Sequence, residues 1–253
     1  MTAKEIVATQ SKELAVMDYS QFAGSGASED IDGSDIIIPQ MLLMQGLSNL
    51  VTSGEARVGE IRDSLSGELL GDKNGPPKVL IFGVKKTWEE HTIAAGQTKE
   101  KWTRSIPVTI SNAGLPKVEE HPNGSKTVRY LQYNFTCLYT GRDFIEKETP
   151  YMVSFRSYSV RPAQRLCSHF TRLEKHSRPS YSQVIELVPT DKENEKGKFP
   201  IFDWRAGRDA TMEEMQACHA WRKRLAGVDV VAASNPTQPQ APVANDDDDT
   251  IPF

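Results

Sequence analysis

The stretch "VRYLQYNFTCLYTG", residues 128–141, decides how the chain is read. Leu131, Tyr133, Phe135, Cys137 and Tyr139 fall on one side of an extended backbone, and Tyr130, Gln132, Asn134 and Thr136 on the other. That is the period-two pattern of a strand with one apolar face. Upstream, "PKVLIFGVKKTWEEH" (77–91) opens on a dense β-branched and aromatic run. Downstream, "YMVSFRSYS" (151–159) alternates again, with Val153 and Phe155 opposed to Met152, Arg156 and Tyr158. Three strands are predicted.

The period then changes. In "RPAQRLCSHFTRLEKH" (161–176), Ala163, Leu166, Phe170 and Leu173 recur at helical spacing, with Pro162 in the first turn. "YSQVIELVPT" and "KFPIFDWRAG" read as two further strands around the charged loop "DKENEKGK". A last helix, "TMEEMQACHAWRKRL", has Thr211 as N-cap and Glu213 and Glu214 in its first turn. Five strands with a helix between the third and fourth is the order of the OB-fold, a partly open five-stranded barrel that binds oligonucleotides across one face and its loops. The expected class is mainly β with flanking helices. The division is a flexible N-terminal segment over 1–35, an extension packing on the core over 36–76, the OB-fold over 77–227, and a disordered linker with an acidic tip over 228–253.

Hydrophobic residues make up 38% of the chain, low for this length, which predicts that part of it does not pack. The net charge of −4 hides an uneven distribution: residues 1–72 carry −8, residues 73–228 carry +9 and residues 229–253 carry −5. A basic centre is flanked by acidic ends, which suits nucleic acid despite the acidic total. No apolar run approaches the roughly 20 residues that span a bilayer, and the N-terminus lacks a signal peptide's apolar segment. A cytoplasmic protein with no membrane partner is expected, in the host cell if the source is a phage. Cys137, Cys167 and Cys218 are too widely spaced for a Cys-x-x-Cys pair and read as free thiols.

Three features point to single-stranded nucleic acid. Between the first two strands, "TKEKWTRS" places Lys99, Lys101 and Arg104 around Trp102. An indole stacks on any base while flanking cations hold phosphates. Its plain alternative is a Trp packed on the barrel. Arg156 and Tyr158 on the third strand, with Tyr130 on the second, form a second cation and ring set on a rigid sheet, unless the N-terminal segment covers that face. Arg161, Arg165, Arg172 and Lys175 form a basic stripe on the internal helix, which is otherwise a solvated face. No catalytic motif appears: Walker A, Gly-x-Ser-x-Gly and His-Glu-x-x-His are all missing. Cys167, His169 and His176 lack a common helical face, and "DDDD" is too flexible to fix magnesium geometry. No cofactor and no metal are expected.

The chain ends "NDDDDTIPF" after a Pro-, Gln- and Ala-rich stretch from Ala232 that cannot repay its ordering entropy. Asp246, Asp247, Asp248 and Asp249 followed, after Thr250, by Ile251, Pro252 and Phe253 resemble the tip of bacterial single-stranded DNA-binding proteins. In that family the terminal Phe and its carboxylate dock in basic, apolar-floored pockets on replication, recombination and repair enzymes. The enlarged domain, with "IPQMLLMQGLS" and "GEARVGEI" before it, is similar to phage-encoded versions of the family. The resemblance implies a non-enzymatic protein that coats single-stranded DNA without sequence preference and recruits partners through its tip. Self-association carries no signature. Two rivals remain: a phage factor acting on host proteins through its tail, and a nucleic-acid-processing enzyme using Asp143, Glu146 and Glu148 in "GRDFIEKE", a segment that otherwise reads as a polar turn.

Overall fold

The computed structural model describes residues 38–93, 95–96, 117–141, 149–195, 197–226 and 232–233. Ile38–Pro39 (β1) and Met41–Leu43 (β2) lead to a short helix, Asn49–Thr52 (α1), and to Ile61–Asp63 (β3) and Leu69–Gly71 (β4). Lys78–Ile93 (β5), Val118–Glu120 (β6), Lys126–Tyr139 (β7) and Pro150–Arg156 (β8) follow. Then come helix Val160–Lys175 (α2), Gln183–Asn194 (β9), Gly197–Asp209 (β10), helix Met212–Arg224 (α3) and Ala232–Ala233 (β11). The fold is mainly β. No helix among the described residues is long and apolar enough to cross a membrane.

The main sheet is antiparallel and runs β10-β9-β5-β7, with β8 and the short β6 both pairing with β7. The expectation is a partly open five-stranded OB-fold barrel; the sheets here are open, and no ladder joins β8 to β10 among the described residues. The facing backbone groups have other partners. Gln40 bridges Met152 of β8 in parallel, the Gln45 side chain donates to the Pro200 carbonyl of β10 at 2.9 Å, and the Phe202 N–H donates to Ser159 Oγ at 3.1 Å. Proline at 200 has no N–H to offer a ladder at all.

Side chains close the gap instead. Phe135 of β7 and Phe155 of β8 are fully buried and meet edge to face at 5.2 Å between ring centroids. Phe202 of β10 stacks on Phe155 at 5.5 Å, and Phe170 of α2 approaches Phe135 at 6.5 Å. Val79, Ile81, Val153, Leu166, Ile185 and Leu187 complete this core, so the apolar stripe of α2 is buried as its spacing predicted. Met41, Ile61 and Leu70 from the N-terminal strands lie in the same cluster. Those strands form a small sheet, β2-β3-β4, latched by Tyr151 Oη donating to Asp63 at 3.0 Å and Tyr139 Oη donating to the Leu70 carbonyl at 3.0 Å.

Several boundaries differ from the sequence reading. The charged "DKENEKGK" segment is largely strand, because β9 and β10 pair as far as Asn194 and Gly197 and exposed strand tips need no apolar residues. β5 and β7 extend through their polar ends to Ile93 and Lys126, where β6 adds a third strand. Within the stretch read as a disordered linker, β11 pairs in parallel with β1, Ile38 opposite Ala232. Backbone bonds alone suffice for that pairing, and composition does not report them.

A second cluster lies on the opposite face of the sheet. Leu80, Phe82, Leu138, Tyr181 and Val184 pack against Ala217 and Cys218 of α3. The helix starts with a capping box: Thr211 accepts from the Glu214 N–H, and the Glu214 carboxylate accepts from the Thr211 N–H at 2.8 Å. The same carboxylate accepts from Arg208 at 2.6 Å. That hydrogen bond outweighs the opposing effect of burial and holds the Glu214 carboxyl below the usual carboxylate range.

Two outcomes follow from this packing. Phe155→Ala removes the ring that both Phe135 and Phe202 touch and should cost about 3–5 kcal/mol, read as a lowered urea midpoint. Because folding depresses the Glu214 pKa, its contribution is complete above the ordinary carboxyl value of 4.5 and is lost as pH falls through the folded value. Urea melts of Glu214→Gln should therefore show a deficit of about 1 kcal/mol at neutral pH that closes in acid.

Candidate nucleic-acid interface

The outward face of the sheet is apolar at one end and polar at the other, and a bulge in β5 sets the change. Ile81 pairs with Cys137 and Gly83 with Thr136, so Phe82 is an extra residue and the strand bends there. Beyond it the inward and outward parities of β5 exchange. Lys85 and Thr87 now share the outward face with Asn134 and Gln132, their partners on β7. On the other side of β7, Ser154 and Arg156 of β8 sit opposite Asn134 and Gln132. The α3 cluster covers this face around Leu80 and Leu138. The strip from Asn134 to Tyr130 is half-buried and polar, and burial returns at Val128 and His91.

The strip is rigidly bonded. Asn134 Oδ1 accepts from Gln132 Nε2 at 2.6 Å and from Ser154 Oγ at 2.7 Å, while Asn134 Nδ2 donates to Thr87 Oγ1 at 3.0 Å. Tyr130, two residues before Gln132, meets His91 edge to face at 5.4 Å. An aromatic ring, a fixed amide network and a guanidinium thus lie in sequence across one face. Period-two spacing places a stacking surface and polar groups about 6.6 Å apart along a strand, close to the scale of successive nucleotides.

Of the residues expected to touch DNA, Tyr130 and Arg156 come together here, in neighbouring strands. Tyr158 does not join them. The strand ends at Arg156, Ser157 takes a left-handed φ of 52°, and Tyr158 lies in a 3-10 turn with its ring 5.1 Å from Phe199 of β10. The alternation that extended the strand to Tyr158 continued into the turn that delivers Pro162 to the first turn of α2. Arg161 is exposed in the first turn of α2. Arg165 is committed to β10, donating to both Asp203 oxygens at 2.8 and 3.0 Å. Lys99, Lys101, Trp102 and Arg104 lie outside the described residues, as do Asp143, Glu146 and Glu148 and the tip from Asp246 to Phe253.

The basic centre is partly neutralised from within. Arg205 pairs with Glu186 and Arg208 with Glu214. Arg129, nearly buried, lies between Glu119 at 2.7 Å and Glu90, and these hydrogen bonds raise its pKa further. Exposed cations without an ion pair among the described residues include Arg172 and Lys175 on α2 and Arg222 and Lys223 on α3. No group of three metal-ligating side chains is present among the described residues. His169 hydrogen-bonds Gln183 at 2.8 Å, and Cys137 and Cys218 are buried thiols, with the Cys137 pKa pushed up by burial.

Sequence reasoning missed Thr87, Ser154 and Phe199. Alternation places Gln132 and Asn134 on the outward face, but the bonds of Asn134 to Thr87 and Ser154 need the register of three strands. No curated protein and no solved structure matches the chain. The family model described as Pam3 phage gp34-like protein matches residues 7–220, from ahead of the N-terminal strands into α3. By that match over most of its length, the chain belongs to the Pam3 phage gp34-like protein family.

Proposed function

We propose that the protein binds single-stranded DNA on the β7–β8 face during phage replication, recombination and repair, and recruits partner enzymes through its acidic C-terminal tip. The observation that carries this reading is the half-buried strip joining Tyr130, Gln132, Asn134 and Arg156 on adjacent strands. A base stacks on the Tyr130 ring and the Arg156 guanidinium takes a phosphate, a combination that needs no particular sequence. The strand order β8-β7-β5-β9-β10, with α2 between β8 and β9, supports an OB-like arrangement opened at one seam. Membership of a phage family is consistent with this role and with the host cytoplasm as its location. The tip, from Asp246 to Phe253, combines an aromatic anchor with charge for long-range encounter.

Anisotropy of a labelled oligo-dT tests the reading. Wild type should bind more weakly as salt rises, because phosphate contacts release counterions. Tyr130→Leu should lose about tenfold in affinity, and Arg156→Ala should also flatten the salt dependence by about one unit of slope. Arg165→Ala, whose guanidinium is held by Asp203, should change affinity by less than about twofold. Absence of binding at low salt would sink the proposal.

The tail carries −5 and the centre +9, so the tip competes with DNA for cationic surface. A chain ending at Asn245 should bind oligo-dT a few-fold more tightly at low salt and equally at high salt, where screening removes the competition. Equal affinities at low salt would rule the competition out.

A further inference from the structure

We infer that Tyr158 and Phe199 form a second base-stacking subsite, and that a strand leaving the β7–β8 face at Arg156 follows the turn at Ser157 onto the β9–β10 hairpin, where Lys192 takes a phosphate. The inference rests on the single-stranded DNA reading of that face and extends its path.

The hairpin sorts its own charges. Directly opposed residues of an antiparallel pair share a face, and alternation sends their neighbours to the other. Lys192 lies opposite Phe199 and Thr190 opposite Ile201, while Asp191 lies opposite Pro200 and Glu193 opposite Lys198. The acids of β9 next to Lys192 therefore fall on the face away from Phe199. On the Phe199 face the nearest carboxylate of the two strands is Asp203, further along β10, and Arg165 holds it. Lys192 is exposed and makes no ion pair among the described residues. Opposed Cβ atoms are about 5 Å apart, so its flexible stem can hold the ammonium beside the ring.

Phe199 and Tyr158 are each half-buried, with ring centroids 5.1 Å apart and planes tilted by 50°. Ile201, next on the same face, is already buried, so the two rings are the open part of this patch. Tyr158 follows Arg156 by two residues, at most about 7 Å along the chain. Between them Ser157, with its φ of 52°, turns the chain out of the β7–β8 ladder, and Ser159 ties the turn to β10 by accepting from the Phe202 N–H at 3.1 Å. A phosphate at Arg156 and a base on Tyr158 are thus neighbours along one strand. Two rings with a cation beside them repeat the combination of Tyr130 and Arg156, again without reading sequence.

Anisotropy with an oligo-dT of about 16 nucleotides, the upper end of what one OB-fold covers, tests this. Phe199→Leu keeps an apolar side chain and removes the π-face, and affinity should fall about tenfold. Combined with Tyr130→Leu, the two losses should multiply to about a hundredfold, because separate sites contribute independently. Phe199→Trp should hold affinity within about twofold of wild type, and oligo-dT should quench its added indole beyond the quenching of the native tryptophans. Lys192→Gln should flatten the salt dependence by about one unit of slope. Unchanged affinity in Phe199→Leu, with Tyr130→Leu still weakened, would overturn the inference and leave the DNA reading standing. So would an indole at 199 that oligo-dT leaves unquenched, since the ring would then act through packing. Failure of wild type to bind at low salt would overturn both.

Discussion

The contact between β8 and β10 has no ladder of hydrogen bonds, and the stacked rings of Phe155 and Phe202 hold those strands side by side. Phe135 meets Phe155 from β7, and Phe170 reaches Phe135 from α2, so four elements converge on one aromatic cluster. A buried ring removes a large apolar area from water, about 150–250 Å² each. The seam therefore depends on area and shape rather than on strand pairing. The price is an opening that the N-terminal segment fills through Gln40 and Gln45.

With the inward face given to the aromatic core, the outward face is free to differ along its length. Near Leu80 and Leu138 it is apolar and covered by α3. Past the Phe82 bulge it carries Thr87, Gln132 and Asn134, joined by bonds that leave little rotational freedom. In the proposed function, a bound strand would meet side chains already held by one another, which reduces the ordering cost of binding. Electrostatics work in the same direction by subtraction. Carboxylates hold Arg129, Arg165, Arg205 and Arg208, so the surplus charge of the centre is carried by other cations.

β11 pairs in parallel with β1, and the residue that follows β1, Gln40, bridges Met152 of β8, so these two short strands lie beside the edge of the main sheet.

The alternation of residues 128–139 and the helical spacing of Ala163, Leu166, Phe170 and Leu173 determined the β-rich class, the order of the central elements and which side chains face the core. Those signals are local: a period of two or of 3.6 is written in consecutive residues and survives any tertiary arrangement. The co-placement of Tyr130 with Gln132 and Asn134 is local in the same sense. Three matters needed the tertiary structure. The sheet stayed open because partners for the edges of β8 and β10 come from residues more than a hundred positions away, at Gln40 and Gln45. Arg165 turned from a free cation into half of an ion pair because Asp203 lies across the helix–sheet contact. Tyr158 left the strand because Ser157 adopts a left-handed backbone, a choice that alternation of side chains does not encode.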